Sequence, residues 1–154
     1  FTYGTASGIV TTSYNLLYVN ILTDPVFSDR VSPFSFAGPK RYIPHVTNYT
    51  NLPPIDYVII SHNHYDHLDS TAVNLLGNTP IYFVPLGLKA WLLNKGIRLN
   101  RIKELDWWDS VSLTNISIKA LPSQHWSARG LFDRTTIFIP IDSFRLPFSP
   151  FPFA

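Results

Sequence analysis

The sequence predicts an α/β (α+β) domain, a sheet covered by helices. Three observations lead there. Tyr57–Ile60, Pro80–Val84 and Arg101–Leu105 read as short strands bounded by turn residues. Ser70–Leu76 and Leu86–Lys95, which separate them, read as helices. At 45% hydrophobic and 14% charged, the composition is that of a globular chain on the apolar side.

The elements follow in order. Phe1 to Val10 mixes Gly, Thr and Ser without a period. Tyr14–Leu22 is rich in aromatic and branched residues and predicts one strand, ending in the turn Thr23-Asp24-Pro25. Phe27–Pro54 is Pro-rich and predicts a long loop without secondary structure, of the functional or mobile kind. Within it Lys40, Arg41 and Tyr42 offer a phosphate contact, though such a pair is more often solvated, and His45 stands alone as a bystander. Asp69 is a natural N-cap for the helix Ser70–Leu76, and Gly77 its stop. Leu88, Trp91 and Leu92 share one face of the next helix, which Gly96 ends. Trp107 and Trp108, consecutive on a strand, should point to opposite sides, one into the core and one into a groove or interface. Ser110–Leu113 and Asn115–Leu121 form a hairpin turning at Thr114-Asn115.

The chemistry concentrates in Ser61-His62-Asn63-His64-Tyr65-Asp66-His67, between the strand Tyr57–Ile60 and the helix cap. In an extended segment alternate residues face one side, so His62, His64 and Asp66 converge on one point and His67 lies on another face. That arrangement suits two adjacent cations. Imidazole and carboxylate are ligands of Zn²⁺, Mn²⁺ or Fe, and the chain has no cysteine to compete. His125, at the end of the later hairpin, is the candidate third imidazole beside His62 and His64; the bland alternative is a half-buried ring bonded to backbone. Asp24 is either a turn carboxylate bonding a nearby N–H or a support for the metal loop.

His-x-His-x-Asp-His closing a strand resembles the metallo-β-lactamase superfamily. Leu22-Thr-Asp-Pro-Val-Phe-Ser-Asp-Arg30, Gly38-Pro-Lys-Arg-Tyr42, Leu52-Pro-Pro-Ile-Asp56, Val84-Pro-Leu-Gly-Leu88, Glu104-Leu-Asp-Trp-Trp-Asp109 and Pro122-Ser-Gln-His-Trp126 are similar, in order, to its N-acylphosphatidylethanolamine-hydrolysing phospholipase D branch. The resemblance implies the first half of an αββα sandwich and a site for two Zn²⁺ ions. It makes His62, His64 and His125 ligands of one, and Asp66 (also catalytic) and His67 ligands of the other. It gives Asp24 a supporting role and places Trp126 and Arg129 near the substrate. The implied reaction is hydrolysis of a phosphodiester, specifically a phospholipid. The family's Gly-Asp-Ser/Thr-Gly turn and late His have no counterpart here. Asp142 follows an apolar run but lacks the flanking glycines.

The matching domain is expected over residues 1–136, followed by a divergent Pro/Phe-rich tail over 137–154. Four prolines among the last twenty residues exclude a central strand there and favour loose packing. A chain that starts at Phe1 and holds no methionine is expected to be a fragment, a processed form or an incomplete gene model. The first-half sheet would then expose its inner face, a surface for self-association. The competing expectation is a truncated, inactive remnant or an interaction module that binds at most one metal. A net charge of +2 gives no pull toward nucleic acid. No apolar run reaches the roughly 20 residues of a spanning helix and no signal peptide is visible, so the expected location is cytoplasmic or peripheral to a membrane.

Overall fold

Alternation along the strands decides the layers. In β2 (Val19–Thr23), Ile21 and Leu22 point to opposite faces and both are fully buried. The same holds for Val58 and Ile59 of β3 (Tyr57–Ile59), and for Tyr82 and Phe83 of β4 (Ile81–Pro85). A sheet buried on both faces needs a layer on each side, and both layers are present. The structure, a computed structural model, describes residues 12–16, 19–34, 36–41, 49–113, 116–122, 129 and 143–145.

The larger sheet runs β1 (Thr12–Leu16), β2, β3, β4, β5 (Ile102–Leu105). β1 is antiparallel to β2 and the other pairs are parallel. On one face Leu22, Val58, Tyr82, Val84 and Ile102 pack with Val73 of α1 (Ser70–Leu76) and Leu92 of α2 (Lys89–Asn94). Asp69 caps α1 as expected, its carboxylate accepting from Thr71 N and Ala72 N. Gly77 ends the helix at φ +55 and its N–H bonds the Val73 carbonyl.

On the other face lies a second, antiparallel sheet: β6 (Ser110–Ser112), β7 (Ser117–Lys119) and β8 (Ser143–Arg145). Ile116, Ile118 and Ala120, alternate residues along β7 and its flanks, meet Ile21, Ile59, Phe83 and Leu105. These four large-sheet residues are between 0% and 4% exposed. The expectation of a bare inner face is therefore wrong: the chain carries its own second sheet. Burying each such side chain contributes roughly 1.5–3 kcal/mol, enough to hold the two sheets together.

Three further expectations are corrected. Tyr14–Leu22 is not one strand but a hairpin, with Leu16 facing Val19 in the antiparallel register. Phe27–Pro54 has structure among its described residues: Arg30 and Lys40 form an antiparallel bridge, and Tyr49–Asn51 is a short 3-10 turn. Trp107 and Trp108 lie in a turn rather than on a strand, and both are exposed, at 45% and 61%. The tail contributes β8, pairing with β7 at the sheet edge. That strand lies between Pro140 and Pro147, so its ladder donors are intact.

Candidate metal centre

The centre is built where β2 and β3 end side by side, at the carboxyl edge of the parallel strands. Thr23 pairs with Ile59, and the chain leaves the sheet at Asp24 and at Ser61. Asp24 has φ +43, in the left-handed region that Asp tolerates better than most residues. Its N–H bonds the Ile59 carbonyl at 2.8 Å. Its carboxylate crosses to the neighbouring strand: Oδ1 accepts from Ser61 N at 2.7 Å and Oδ2 from Ser61 Oγ at 2.7 Å. His67 Nδ1 also reaches Oδ2, at 2.8 Å.

These bonds favour one tautomer at each of two imidazoles. Ser61 has one hydroxyl proton, and the acceptor-only carboxylate of Asp24 takes it. Ser61 Oγ then accepts from His62 Nδ1 at 2.8 Å, so the Nε2 lone pair of His62 is exposed to other partners. His67 likewise donates through Nδ1 to Asp24, which leaves Nε2 as the atom facing Asp66. One carboxylate, directly and through a serine, orients two histidines; a carboxylate behind a histidine is a common support for a metal ligand.

The candidate donor atoms fall into two pairs. His62 Nε2 and His64 Nδ1 are 3.0 Å apart, with the ring planes at 77°. His67 Nε2 and Asp66 Oδ2 are 3.6 Å apart. Two ligands on one ion, each at about 2.0–2.2 Å, stand roughly 3–3.7 Å from each other, and both pairs fit that spacing. The donor types, imidazole with imidazole and imidazole with carboxylate, suit zinc, manganese or iron. Among the described residues no group of three or more His, Cys, Asp or Glu is gathered tightly enough to hold an ion.

The expected convergence of His62, His64 and Asp66 on one point is not observed. The chain stays paired with β4 as far as Ile60 and is not extended through residues 63–68. It turns, with His67 N and Leu68 N both bonding the His64 carbonyl, at 3.1 and 2.8 Å. The turn brings the His67 ring to 4.0 Å from that of His62, centroid to centroid, and Asp66 Oδ2 to 3.6 Å from His67 Nε2.

Two residues hold this loop, and local patterns reveal neither fully. Asp69 is more than a helix cap. Its carboxylate also accepts from Phe27 N, Ser28 N and Ser28 Oγ at 2.8–3.0 Å, tying the β2 exit to the start of α1. Arg129 donates through one guanidinium nitrogen to the carbonyls of Asn63, at 3.0 Å, and Leu68, at 2.7 Å. Its guanidinium stacks 4.2 Å from the Tyr65 ring and 4.9 Å from Trp91, and the Tyr65 hydroxyl returns a bond to the Arg129 carbonyl. Expected near substrate, Arg129 is engaged with the metal loop itself. No local signal marks it, since the contacts span 61 and 66 positions. Ser61 could have been found as the hydroxyl between an apolar strand and the first histidine.

His125 and Trp126 lie outside the described residues, as do Tyr42, His45 and Asp142. Lys40 is exposed, whereas Arg41 is buried and donates to the Val26 carbonyl at 3.0 Å. Burial lowers the Arg41 pKa, opposed by Asp29 and Asp69. Beside the metal loop a cleft of about 700 Å³ is lined by Phe34, Tyr65, Trp91, Lys95 and Arg129 among others.

Two stacked sheets with helices on the outer face, and a His-x-His-x-Asp-His loop at the carboxyl edge of the parallel strands, define the class. Residues 19–143 match the beta-lactamase superfamily domain, and the chain belongs to that superfamily. Within it the chain falls in the N-acylphosphatidylethanolamine-hydrolysing phospholipase D-like branch. It is 43% identical over 141 residues to N-acyl-phosphatidylethanolamine-hydrolyzing phospholipase D 1 of Caenorhabditis elegans, covering 85% of this chain and 40% of that protein. It is 36% identical over 128 residues to the mitochondrial N-acyl-phosphatidylethanolamine-hydrolyzing phospholipase D of Saccharomyces cerevisiae, covering 79% and 26%. The chain thus spans less than half the length of these relatives. In fold it is similar to a metallo hydrolase from the archaeon Ignicoccus hospitalis, with TM-score 0.61 at 19% identity, over 90% of this chain and 52% of that one.

Proposed function

We propose that this chain provides the metal-binding part of a phosphodiester hydrolase that acts on N-acyl phosphatidylethanolamine-type phospholipids. The observation that carries the reading is the division of donor atoms. His62 Nε2 and His64 Nδ1 form one pair, and His67 Nε2 and Asp66 Oδ2 the other, with Asp24 behind both. His125 is assigned as the third imidazole of the first site. Divalent cations held there, zinc by the family's habit, would supply Lewis acidity toward the phosphoryl oxygens and a water ionised near neutral pH.

The chain's own residues prepare that chemistry. Ser61 and Asp24 keep His62 and His67 in the tautomers that present Nε2. Asp66 contributes the negative charge that two neutral imidazoles lack. Arg129 fixes the loop backbone, so the donor atoms need little reorganisation on binding an ion. The lipid substrate rests on the names of the relatives alone, and Trp126 is assigned to the substrate side on the family pattern.

The test combines metal content with turnover. The full chain, loaded with Zn²⁺ and desalted, is expected to hold close to two ions and to hydrolyse bis(p-nitrophenyl) phosphate. His64→Ala is expected to lose the first-site ion. Unchanged metal content in that variant overturns the site assignment. One ion or none, without turnover, supports the competing reading of an inactive metal-binding remnant.

A further inference from the structure

Charge is unevenly placed along the chain. Residues 70–105 carry five basic side chains, Lys89, Lys95, Arg98, Arg101 and Lys103, and one acidic, Glu104. Glu104 is already engaged: its Oε2 meets Lys89 Nζ at 2.7 Å, and its Oε1 accepts from Gly87 N and Lys89 N. Lys95 Nζ lies 5.3 Å from the centroid of the Trp91 ring. Arg98, Arg101 and Lys103 have no carboxylate within ion-pair reach among the described residues. Arg98 and Arg101 lead into β5 and Lys103 lies on it. Arg98 and Lys103 are exposed and Arg101 is half-buried.

An open strand runs beside these cations. β5 ends the large sheet and is paired with β4 on one side only. In a parallel strand alternate backbone groups turn away from the neighbour, so the outer side of β5 is a row of donors and acceptors. The Ile102 N–H turns back to the Leu99 carbonyl. Beyond it, no backbone bond joins residues 103–105 to anything but β4 among the described residues. Two exposed leucines frame the strand. Leu93 comes one helical turn after Lys89, so it shares the flank of α2 that Lys89 turns toward Glu104. It is 41% exposed, and Leu99, in the 3-10 turn Leu99–Arg101, is 64% exposed. Hydrogen bonds hold this backbone in place. Asn78 binds the Gly96 carbonyl and the Arg98 N–H at 3.1 and 2.7 Å, and Arg101 N closes the turn on the Arg98 carbonyl.

We propose that the β5 edge is a docking site for an acidic, extended segment of a partner protein, which adds to the sheet as one more strand. Backbone bonds to β5 would supply affinity, carboxylates would meet Arg98, Arg101 and Lys103, and apolar side chains would cover Leu93 and Leu99. Charge selects this occupant. The basic excess favours an anionic partner. Pairing two copies of β5 edge to edge would set Lys103 and its neighbours against like charges, a device that keeps sheet edges apart. Single-stranded RNA stacks its bases on aromatic rings, whereas the exposed apolar groups framing these cations are leucines. The site uses none of the candidate metal donors, so it stands or falls apart from the hydrolase reading.

The test is fluorescence anisotropy of the full chain with a labelled peptide that alternates Glu and Val. Saturable binding that weakens with salt is expected. The same peptide N-methylated at alternate residues, which cannot pair through its backbone, and a Lys-Val peptide are expected not to bind. Arg101→Glu/Lys103→Glu is expected to weaken binding by at least about tenfold. Lys40→Glu/Lys119→Glu, the same charge change at exposed positions elsewhere, is expected to leave it unchanged. Circular dichroism confirms that each variant is folded. Amide hydrogen exchange at residues 102–105 is expected to slow when the peptide binds. Absence of wild-type binding, equal binding of the N-methylated peptide, or equal losses from the two double variants overturns the proposal. Tighter, competing binding of oligouridylate also overturns it and assigns the flank to RNA. A concentration-dependent dimer in sedimentation that the Glu-Val peptide does not dissociate overturns it and assigns the edge to a second copy.

Discussion

Asp24 and Ser61 meet across two parallel strands, the carboxylate of one accepting both the backbone N–H and the hydroxyl of the other at 2.7 Å. The contact is part-buried and the same carboxylate also holds His67, so it is the point through which the sheet orients the metal loop. Asp24→Ala leaves the Ser61 N–H without its acceptor and frees two imidazoles to change tautomer. The expected cost is about 2–3 kcal/mol of stability. Zn²⁺ affinity is expected to fall roughly 10–100-fold. Urea denaturation and metal titration check both. An unchanged affinity would show that Asp24 does not position the ligands.

Asp69 accepts from two residues of the β2 exit and two of the first turn of α1. Asp69→Ala is expected to cost about 2–4 kcal/mol, beyond the loss of a helix cap alone. Asp69→Asn keeps one acceptor oxygen and should cost less. Denaturant midpoints rank the two variants against wild type. A loss confined to the usual cap range of about 1 kcal/mol would mean that the Phe27 and Ser28 bonds contribute nothing.

Arg129 predicts a dynamic effect. Arg129→Lys keeps the charge but loses the planar stack and the two-carbonyl bridge. Amide hydrogen exchange over residues 63–68 is expected to speed up while exchange in β3 and β4 stays slow. If exchange in the loop is unaltered, the clamp does not order it.

Glu104 supplies a pH dependence. Burial pushes its pKa up, but bonds from Lys89 and from the Gly87 and Lys89 N–H groups outweigh this and hold it below the ordinary value. A carboxyl with a lowered folded pKa stabilises above the unfolded value and loses that contribution as pH falls through the folded one. The stability gap between wild type and Glu104→Gln is therefore expected at neutral pH and to shrink as pH falls from about 4.5 into the acid range. A gap that is flat from neutral to acid pH would contradict the Lys89 pairing.

Gly38 predicts a local steric effect. Gly38→Ala meets both a left-handed φ and Ser32 Cβ at 2.6 Å, so the loop carrying Phe34 and Phe36 is expected to distort while the core remains. Unaltered proteolytic susceptibility at Phe34 and Phe36 would argue against it.

Much of the fold was legible because its signals are local. Asp69 before a helical run, Gly77 after it, and the apolar segment Tyr57–Ile60 mark α1 and β3 within a residue. The His-x-His-x-Asp-His spacing pointed to the candidate donors His62, His64, Asp66 and His67. Strand periodicity alone misgroups them, putting His62, His64 and Asp66 on one side, because the loop turns at His64; the pairing of Asp66 with His67 came only from the family resemblance. The exposed Trp107 and Trp108 defeated a polarity rule, since the turn from Asp106 to Asp109 overrides their strand preference. Leu16 facing Val19 and Ile118 against the large sheet depend on tertiary pairing, which no window of sequence displays.

The Arg129 clamp reaches back 61 positions to Leu68, and that distance carries a kinetic consequence. The sheet and helices of residues 57–105 are joined by short connections and can condense early, whereas the loop cannot be locked until a much later part of the chain returns. On the functional reading proposed above, ion capture would be ordered behind hydrophobic collapse. A ribosome-bound chain that has exposed all four candidate donors of the loop but not yet residue 129 would then offer them loosely, and would exchange metal far faster than the finished protein.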